Sequence, residues 1–295
     1  MLGGLVRVVD PAGITAVVNT ADDMVLHGLH ISPDLDTVAY TLAGLDNKET
    51  GWGLAGESWR VMERLEALGG EHWFRLGDHD LATHLYRTQR LTEGATLGQV
   101  TTELAGRLGV GVRLLPMSDD PVRTMVTLGD GDEVGFQHYF VRLAHSVPVA
   151  ALRFDGADAA RPAPGVLEAI AGAERIVCCP SNPLVSIGPI LSVPGVRRAL
   201  EGRRQDVVAV SPIVAGSALK GPADRLLTEL GHESSVVGVA RLYADWVGTL
   251  VIDEADAPLE DEVRRVGVRC VVAPTIMRTP EAAAALAEVV LGARR

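Results

Sequence analysis

Four aspartates lie close together in the first part of the chain and form a cluster of carboxylate oxygens. Asp22 and Asp23 end the sequence NTADD, and Asp34 and Asp36 belong to the sequence SPDLDT. Oxygen ligands of this kind suit Mg²⁺, which commonly takes one or two carboxylates together with substrate phosphates. Capping of a helix by Asp34 or Asp36 is the alternative, because a side-chain oxygen there accepts hydrogen bonds from free backbone N–H groups.

A zinc site that includes histidine is a further alternative for the same stretch. His27 and His30 stand three residues apart between the two aspartate pairs, and imidazole nitrogens bind zinc together with carboxylates. Solvated or hydrogen-bonded histidines are commoner, so this reading has less support than Mg²⁺ or capping.

Two later loops carry groups that bind anions. The sequence PSNPLVSIGPI offers Ser181, Asn182 and Ser186 just before a predicted helix, and SPIVAGSALKGPAD offers Ser211 and Lys220. A helix N-terminus with such donors is a ready anion site, and a lysine meets phosphate as a point charge. Ser, Asn and Pro also form ordinary turns. Combined with the acidic cluster, the two loops predict a metal-assisted phosphate site.

Short β-branched runs alternate with helical patterns and must position these loops. Continuous apolar runs suit strands that are buried on both faces of a parallel sheet. The predicted strands are Ile14 to Val18, Arg175 to Cys179, Asp206 to Val210, Thr249 to Ile252 and Arg269 to Ala273. The predicted helices between and after them are Ala223 to Leu230, Ser234 to Tyr243 and Glu281 to Leu291. This order predicts an α/β fold with a Rossmann-like, doubly wound, mostly parallel sheet, whose carboxyl edge collects all three loops.

The region 57–165 breaks this alternation and is predicted to be an insertion with helices and a β-hairpin. Its predicted helices are Glu57 to Leu68, Leu81 to Leu91 and the stretch with Leu97, Val100, Leu104 and Leu108 at helical spacing. Its predicted hairpin strands, Thr124 to Leu128 and Val134 to Val141, flank the turn sequence GDGD. We therefore expect a single domain, 1–295, with an α/β core of 1–56 and 166–295.

Composition excludes several classes of partner and location. The 295 residues carry 27 basic and 38 acidic side chains, a net charge of −11, which disfavours nucleic acid and anionic membranes as partners. The sequence shows neither a membrane-length apolar run nor a leader, so a cytoplasmic protein is expected. The three cysteines, two of them adjacent at Cys178 and Cys179, predict a reduced core rather than disulfides or zinc.

Several motifs, in order along nearly the whole chain, resemble the 2-phospho-L-lactate transferase family, the deazaflavin-precursor transferases of coenzyme F420 biosynthesis. They are VVNTADD, SPDLDTVAYTLAG, GWG, RLGDHD, LLPMSDDPV, PSNPLVSIGPIL, VSPIVAG with KGPA, and APTIMRT. The resemblance implies a phosphotransferase of the EC 2.7.8 type that acts as a homodimer. It would move a phospholactyl, enolpyruvyl-phosphate or phosphoglyceryl group from a guanosine diphosphate-activated donor to the deazaflavin Fo. The products would be GMP and F420-0 or dehydro-F420-0.

The resemblance also implies roles for individual residues. Asp36 and Arg75 match Fo-binding positions, and Trp52 and His138 are expected beside the Fo ring. Asp22 or Asp23, with Asp34 or Asp36, would hold Mg²⁺, and one of Asp22, Asp23 and Asp36 would orient or deprotonate the attacking hydroxyl. The guanosine diphosphate portion is expected at the loops just described, with contacts from Ser181, Asn182, Ser186, Gly188, Ser211 and Lys220.

Two departures from the family pattern stand out. Family members typically begin with a strand and a GGxGG or GGTG loop, whereas MLGGLVRVVDPAG lines up with the helix that follows that loop. We therefore expect that strand and loop to be missing, through a late start codon or a truncated variant. His79 replaces the usual Lys or Arg in the RLGD motif, so a contact there would depend on pH.

Two other functions remain open at the level of sequence. One is a nucleotide-sugar-binding regulatory protein of the same superfamily, without catalysis, and the other is a metal-dependent phosphohydrolase that uses the same carboxylates. The combination of SPDLD, RLGD and GWG favours the transferase, because neither alternative needs an Fo site.

Overall fold

The computed structural model describes residues 1–293 as an α/β fold. Its α-helices are α1 (Leu2–Val8), α2 (Pro33–Ala43), α3 (Arg60–Ala67), α4 (Asp78–Thr92), α5 (Leu97–Arg107), α6 (Val166–Gly172), α7 (Gly188–Ser192), α8 (Val196–Glu201), α9 (Ala223–Glu229), α10 (Val236–Tyr243), α11 (Glu260–Arg265) and α12 (Pro280–Gly292). Its strands are β1 (Thr15–Val18), β2 (Met24–Leu26), β3 (Leu29–Ile31), β4 (Arg113–Pro116), β5 (Arg123–Leu128), β6 (Glu133–Gly135), β7 (Val149–Asp155), β8 (Ile176–Cys178), β9 (Val207–Val210), β10 (Ile213–Val214), β11 (Ser217–Ala218), β12 (Thr249–Ile252) and β13 (Arg269–Val272).

A parallel four-stranded sheet in the order β13-β12-β9-β8 forms the centre of the fold. Every residue of β9 and β12 is buried, because side chains alternate between two covered faces. Val207 and Ala209 belong to a large cluster that includes residues of α10, whereas Val208 and Val210 pack with Leu286 of α12 on the other face. The predicted α/β fold with a parallel sheet between helices is thus confirmed.

Strand β1 pairs in parallel with β4, and this second parallel pair leads into the acidic cluster. Strand β4 lies within the region predicted to be an insertion, yet it pairs with β1 and contacts α5 and α2. After β1, the chain forms the antiparallel hairpin β2–β3 through a tight turn with positive φ at His27 and Gly28. The hairpin returns the chain beside its starting point, so residues 22–23 lie next to the start of α2.

The antiparallel sheet β6-β5-β7 corrects two sequence expectations. The predicted strand Val134 to Val141 ends at Gly135, and His138–Arg142 forms a π-helical turn instead. Tyr139 and Phe140 pack in a cluster with Val126 and Leu226, so the apolar pattern there follows helical spacing. The third strand, β7, pairs along β5 and was not predicted.

Helices α3 and α4 hold each other's N-termini. The Asp78 carboxylate, at the start of α4, accepts hydrogen bonds from the backbone N–H groups of Arg60 and Val61. The Glu57 carboxylate, just before α3, accepts from the backbone of His79 and Asp80. A side chain at position 77 would displace the Glu57 carboxylate from this contact, since an added Cβ would lie 2.1 Å from the Glu57 carboxyl carbon. This exchange fixes α4, which contributes side chains to the site.

No helix within residues 1–293 combines the length and the apolar character that crossing a bilayer requires.

Candidate functional site

A cavity of about 1140 Å³ opens where the loops after β1, β8, β9 and β13 meet. Its volume exceeds the usual range for a site that holds one drug-sized ligand. Predicted site residues in its lining are Asp22, Asp34, Asp36, Trp52, Arg75, Ser181, Asn182, Ser186, Ser211 and Lys220. The fold thus brings the acidic cluster and both predicted anion loops to one cavity, with room for two substrates.

Three predicted residues lie away from the lining of this cavity. Asp23 is buried and does not line the cavity. Gly188 begins α7 close to the Phe154 ring. His138 packs against Trp73 at 5.9 Å between ring centroids. His138 also lies in the π-helical turn rather than in a strand. Its neighbours Phe136 and Phe140 do line the cavity.

Asp22 and Asp34 form a carboxylate pair without a cationic partner among residues 1–293. Asn19, directly after β1, donates from Nδ2 to Oδ2 of Asp22 at 3.1 Å and to Oδ2 of Asp34 at 3.0 Å. Burial raises the pKa of Asp22 well above its usual value, and the charge of Asp34 raises it further. Burial also raises the pKa of Asp34, to about 6. Two carboxylates thus share one neutral amide in a desolvated place, which is costly for both charges.

Asp23 has a different environment from its neighbour. Its Oδ2 accepts a hydrogen bond from the Ser32 hydroxyl at 2.6 Å and lies 3.1 Å from Nε2 of His30. Ser32 directly follows the β2–β3 hairpin and precedes α2, so this bond closes the base of the hairpin. Asp23 and His30 therefore support the local fold, and His27, in the exposed hairpin turn, joins no carboxylate group of the cavity.

Asp36 is paired with a buried cation. Arg87 of α4 donates from Nη1 to Oδ2 of Asp36 at 3.1 Å and from Nη2 to Oδ1, a two-pronged contact. Burial raises the pKa of Asp36, and the Arg87 charge opposes that rise. Neither Asp34 nor Asp36 caps α2, whose N-cap residue is Ser32. The capping alternative is therefore wrong for both residues.

Three further side chains of the cavity wall were not predicted from sequence. Asp80 and His84 of α4 and Tyr40 of α2 line the cavity beside Asp36. The Tyr40 hydroxyl donates to Asp80 Oδ1 at 2.6 Å, and His84 Nε2 lies 3.2 Å from Asp80 Oδ2. The sequence spacing of Asp80, His84 and Arg87 could have predicted a polar cluster on α4, because it places all three on one face of a helix.

An aromatic rim lies at the same end of the cavity. The Trp52 ring meets Trp59 edge-on at 6.2 Å, and the Arg75 guanidinium lies 4.4 Å from the centroid of the Trp59 ring. Trp52 is 47% exposed, unusual for so large an apolar side chain and typical of a surface that meets a planar ligand. Trp73 and Phe74 extend the rim.

The loops after β8, β9 and β13 bring hydrogen-bonding groups and cations to the same cavity. Asn182 accepts backbone hydrogen bonds from Leu184 and Val185, and Ser211 bonds to the backbone of Ile213. Both residues therefore stabilise turns, which was the alternative to anion binding in the sequence analysis. Lys220 and Arg278 line the wall as exposed cations. Arg278 was missed, although it belongs to the loop after β13, and Thr275 of that loop donates to Asp253.

The residues present suit a divalent cation at Asp22 and Asp34. The buried Oδ1 atoms of Asp22 and Asp23 both lack a hydrogen-bond partner among the described residues. Hard oxygen ligands on two carboxylates match the preference of Mg²⁺, which leaves positions for water and substrate phosphate. Asp22 and Asp34 line the cavity, whereas Asp23 does not and Asp36 is paired with Arg87, so we narrow the predicted cation ligands to Asp22 and Asp34.

Comparison with known proteins gives matches over almost the whole chain. Residues 1–274 match the family model of 2-phospho-L-lactate transferase CofD. A phosphoenolpyruvate transferase of Streptomyces griseus is 48% identical, over 97% of this chain and 92% of that protein. A phosphoenolpyruvate transferase of Mycolicibacterium smegmatis is 43% identical, over 92% of this chain and 85% of that protein.

A solved structure shares the fold. A crystal structure of a UPF0052 family protein from Bacillus halodurans superposes with a TM-score of 0.59 at 17% identity, covering 98% of this chain and 95% of that one. The fold is therefore shared over nearly the whole chain.

Proposed function

Because this chain belongs to the 2-phospho-L-lactate transferase CofD family, a family of transferases, we propose that it transfers an enolpyruvyl phosphate group to the deazaflavin Fo. The donor in this proposal is guanosine diphosphate-activated phosphoenolpyruvate, and the products are GMP and dehydro-F420-0. The names of the relatives at 43–48% identity favour enolpyruvyl phosphate over the phospholactyl and phosphoglyceryl groups. The carrying observation is the single cavity that joins an uncompensated carboxylate pair, exposed cations and an aromatic rim.

The donor is assigned to the loops that carry Lys220 and Arg278. A diphosphate carries several negative charges, and both side chains there offer cations. Ser181 and Ser186 add hydroxyl groups on the same wall. Asp22 and Asp34 would hold Mg²⁺, which when bound neutralises phosphate charge and polarises the phosphoryl group.

The acceptor is assigned to the aromatic side chains of the cavity. A planar deazaflavin ring stacks well on aromatic side chains, and Trp52, Phe136 and Phe140 belong to the lining. The ribityl chain then runs toward Asp36, whose carboxylate faces the same cavity. Arg75 is available to the polar edge of the ring, in keeping with its predicted role.

The reaction needs an oriented hydroxyl and balanced charge more than it needs a covalent nucleophile. The terminal ribityl oxygen of Fo attacks the phosphorus that carries the enolpyruvyl group, and its O–H bond breaks as the new O–P bond forms. Asp36 accepts the hydrogen bond of this hydroxyl and then its proton. The bond to the α-phosphate breaks, and GMP leaves with the electron pair.

A transfer assay tests the proposal directly. The protein is incubated with Mg²⁺, Fo and each of the three guanosine diphosphate-activated acids, and products are identified by mass. We expect dehydro-F420-0 and GMP from the enolpyruvyl donor, and Asp22→Asn as the matched variant should form neither. Absence of any Fo product, together with tight binding of a nucleotide sugar, would reject the transferase in favour of the regulatory alternative. The homodimer belongs to the same proposal, and sedimentation analysis tests it.

A further inference from the structure

Arg87 contacts Asp36, the proposed proton acceptor, without lining the cavity itself. It is 2% exposed, and both terminal nitrogens of its guanidinium contact the two oxygens of Asp36. Asp36 lines the cavity, whereas Arg87 lies behind it. We infer that Arg87 is a positioning residue for acceptor transfer, which fixes the plane and direction of the Asp36 carboxylate toward the substrate hydroxyl. This inference rests on the proposed function.

A chain of contacts in turn fixes Arg87. Its Nη1 lies 3.2 Å from Nδ1 of His84 and donates to the His30 carbonyl oxygen at 3.4 Å. Because a guanidinium nitrogen donates only, Nδ1 of His84 must be the acceptor, which leaves the ring proton on Nε2. That atom lies 3.2 Å from Asp80, which also accepts from the Tyr40 hydroxyl. Helices α2 and α4 are thereby tied together through polar side chains that end at Asp36.

The shape of this contact argues for positioning rather than for simple charge balance. A planar guanidinium binds a carboxylate through two parallel hydrogen bonds and so sets its orientation, whereas a lysine ammonium acts as a point charge. Asp36 lies in the first turn of α2, and the contact with Arg87 restricts rotation about its side-chain torsions. A displaced Asp36 carboxylate is expected to slow transfer by about a hundredfold, because reacting groups tolerate little displacement.

The decisive variant is Arg87→Lys, which keeps the buried charge and loses the two-pronged contact. We expect kcat for transfer to Fo to fall by about a hundredfold and KM for Fo to rise. The dissociation constant of GDP, measured by calorimetry, should stay unchanged, because Arg87 does not line the cavity and the proposed nucleotide contacts come from other loops. Arg87→Ala with added guanidinium chloride in the millimolar range should recover part of the lost kcat, since the free cation restores the paired contact.

The matched control is Arg90→Ala, one turn further along α4. Arg90 pairs at the surface with Glu93 and Glu103 and has no contact with Asp36, so its loss should leave kcat and KM as in the wild type. Wild-type kcat and KM in a folded Arg87→Lys protein would overturn the inference, and so would equal losses in the Arg87→Lys and Arg90→Ala proteins. A wild-type protein that makes no Fo product would instead reject the proposed function.

Discussion

Two carboxylate sites on one wall of the cavity differ in how their charge is balanced. Asp22 and Asp34 face each other across the Asn19 amide, without a cation among residues 1–293. Asp36, close by in the chain, is held by the guanidinium of Arg87. Both sites are desolvated, and burial raises the pKa of all three aspartates. Only the second site contains its own counter-charge.

From this difference we infer which aspartates bind a cation from solution. A buried ion pair is internally complete, and removal of one partner leaves an uncompensated charge that costs stability. A buried pair of like charges is incomplete, and a cation supplied from solution relieves the repulsion. We therefore propose different roles for carboxylates that look equivalent in the sequence: cation binding at Asp22 and Asp34, and substrate orientation at Asp36.

The comparison predicts its largest effect for Asp34→Asn. Transfer should fall by at least about a thousandfold, because stabilisation of charge at the phosphates is lost with the cation. Steady-state rates in saturating Mg²⁺ measure this change. Asp245→Asn, at an exposed position just after α10 and outside the cavity lining, serves as the control and should retain wild-type rates. Near-normal transfer in the Asp34→Asn protein would show that this pair is not the cation site.

The second prediction concerns the sign of the stability change. Asp36→Ala should lower the free energy of unfolding by about 3 kcal/mol, because Arg87 is left buried and unpaired. Asp34→Asn should raise it by about 1 kcal/mol in the absence of Mg²⁺, because repulsion with Asp22 disappears. Urea denaturation measures both values. The double variant Asp36→Leu with Arg87→Met should recover most of the loss, and a failure to do so would weaken the assignment of the ion pair.

The third prediction concerns pH. Burial raises the pKa of Asp34 from its ordinary value of 3.8 to about 6, so the folded protein binds more protons than the unfolded chain between these values. Stability from this group is therefore present at low pH and lost as pH rises through about 6. Without Mg²⁺, the melting temperature of the wild type should fall by roughly 3 °C more than that of Asp34→Asn between pH 5 and pH 7. Saturating Mg²⁺ should abolish that difference, whereas parallel curves without Mg²⁺ would contradict the raised pKa.

The smallest predicted effect lies at the rim, away from both carboxylate sites. Trp52→Ala should raise KM for Fo by about tenfold with little change in kcat, because stacking contributes to binding rather than to charge balance. Leu68→Ala, at another exposed apolar residue, should change neither constant. A large fall in kcat for Trp52→Ala would indicate that the rim also orients the reacting hydroxyl.

The sequence was sufficient for the central strands and insufficient for the pairing of the aspartates. Strands β9 and β12 are short, continuous β-branched runs, so their burial on both faces was readable from the pattern. Residues 138–142 were misread because aromatic residues at helical spacing follow directly after a true strand. The partner of Asp36 is 51 residues away on α4, and only the packing of α2 against α4 reveals it. Similarly, the β2–β3 hairpin brings Asp22 and Asp23 close to Asp34, and the Asn19 amide bridges Asp22 to Asp34.

Calorimetric titration of Mg²⁺ tests the distinction between the two carboxylate sites most directly. The titration is made in saturating GDP on the wild type, Asp34→Asn and Asp36→Asn, since substrate phosphate completes the coordination of the cation. We predict that the wild type and Asp36→Asn bind one Mg²⁺ with similar affinity and that Asp34→Asn loses this binding. Loss of Mg²⁺ binding in Asp36→Asn with retention in Asp34→Asn would contradict the account.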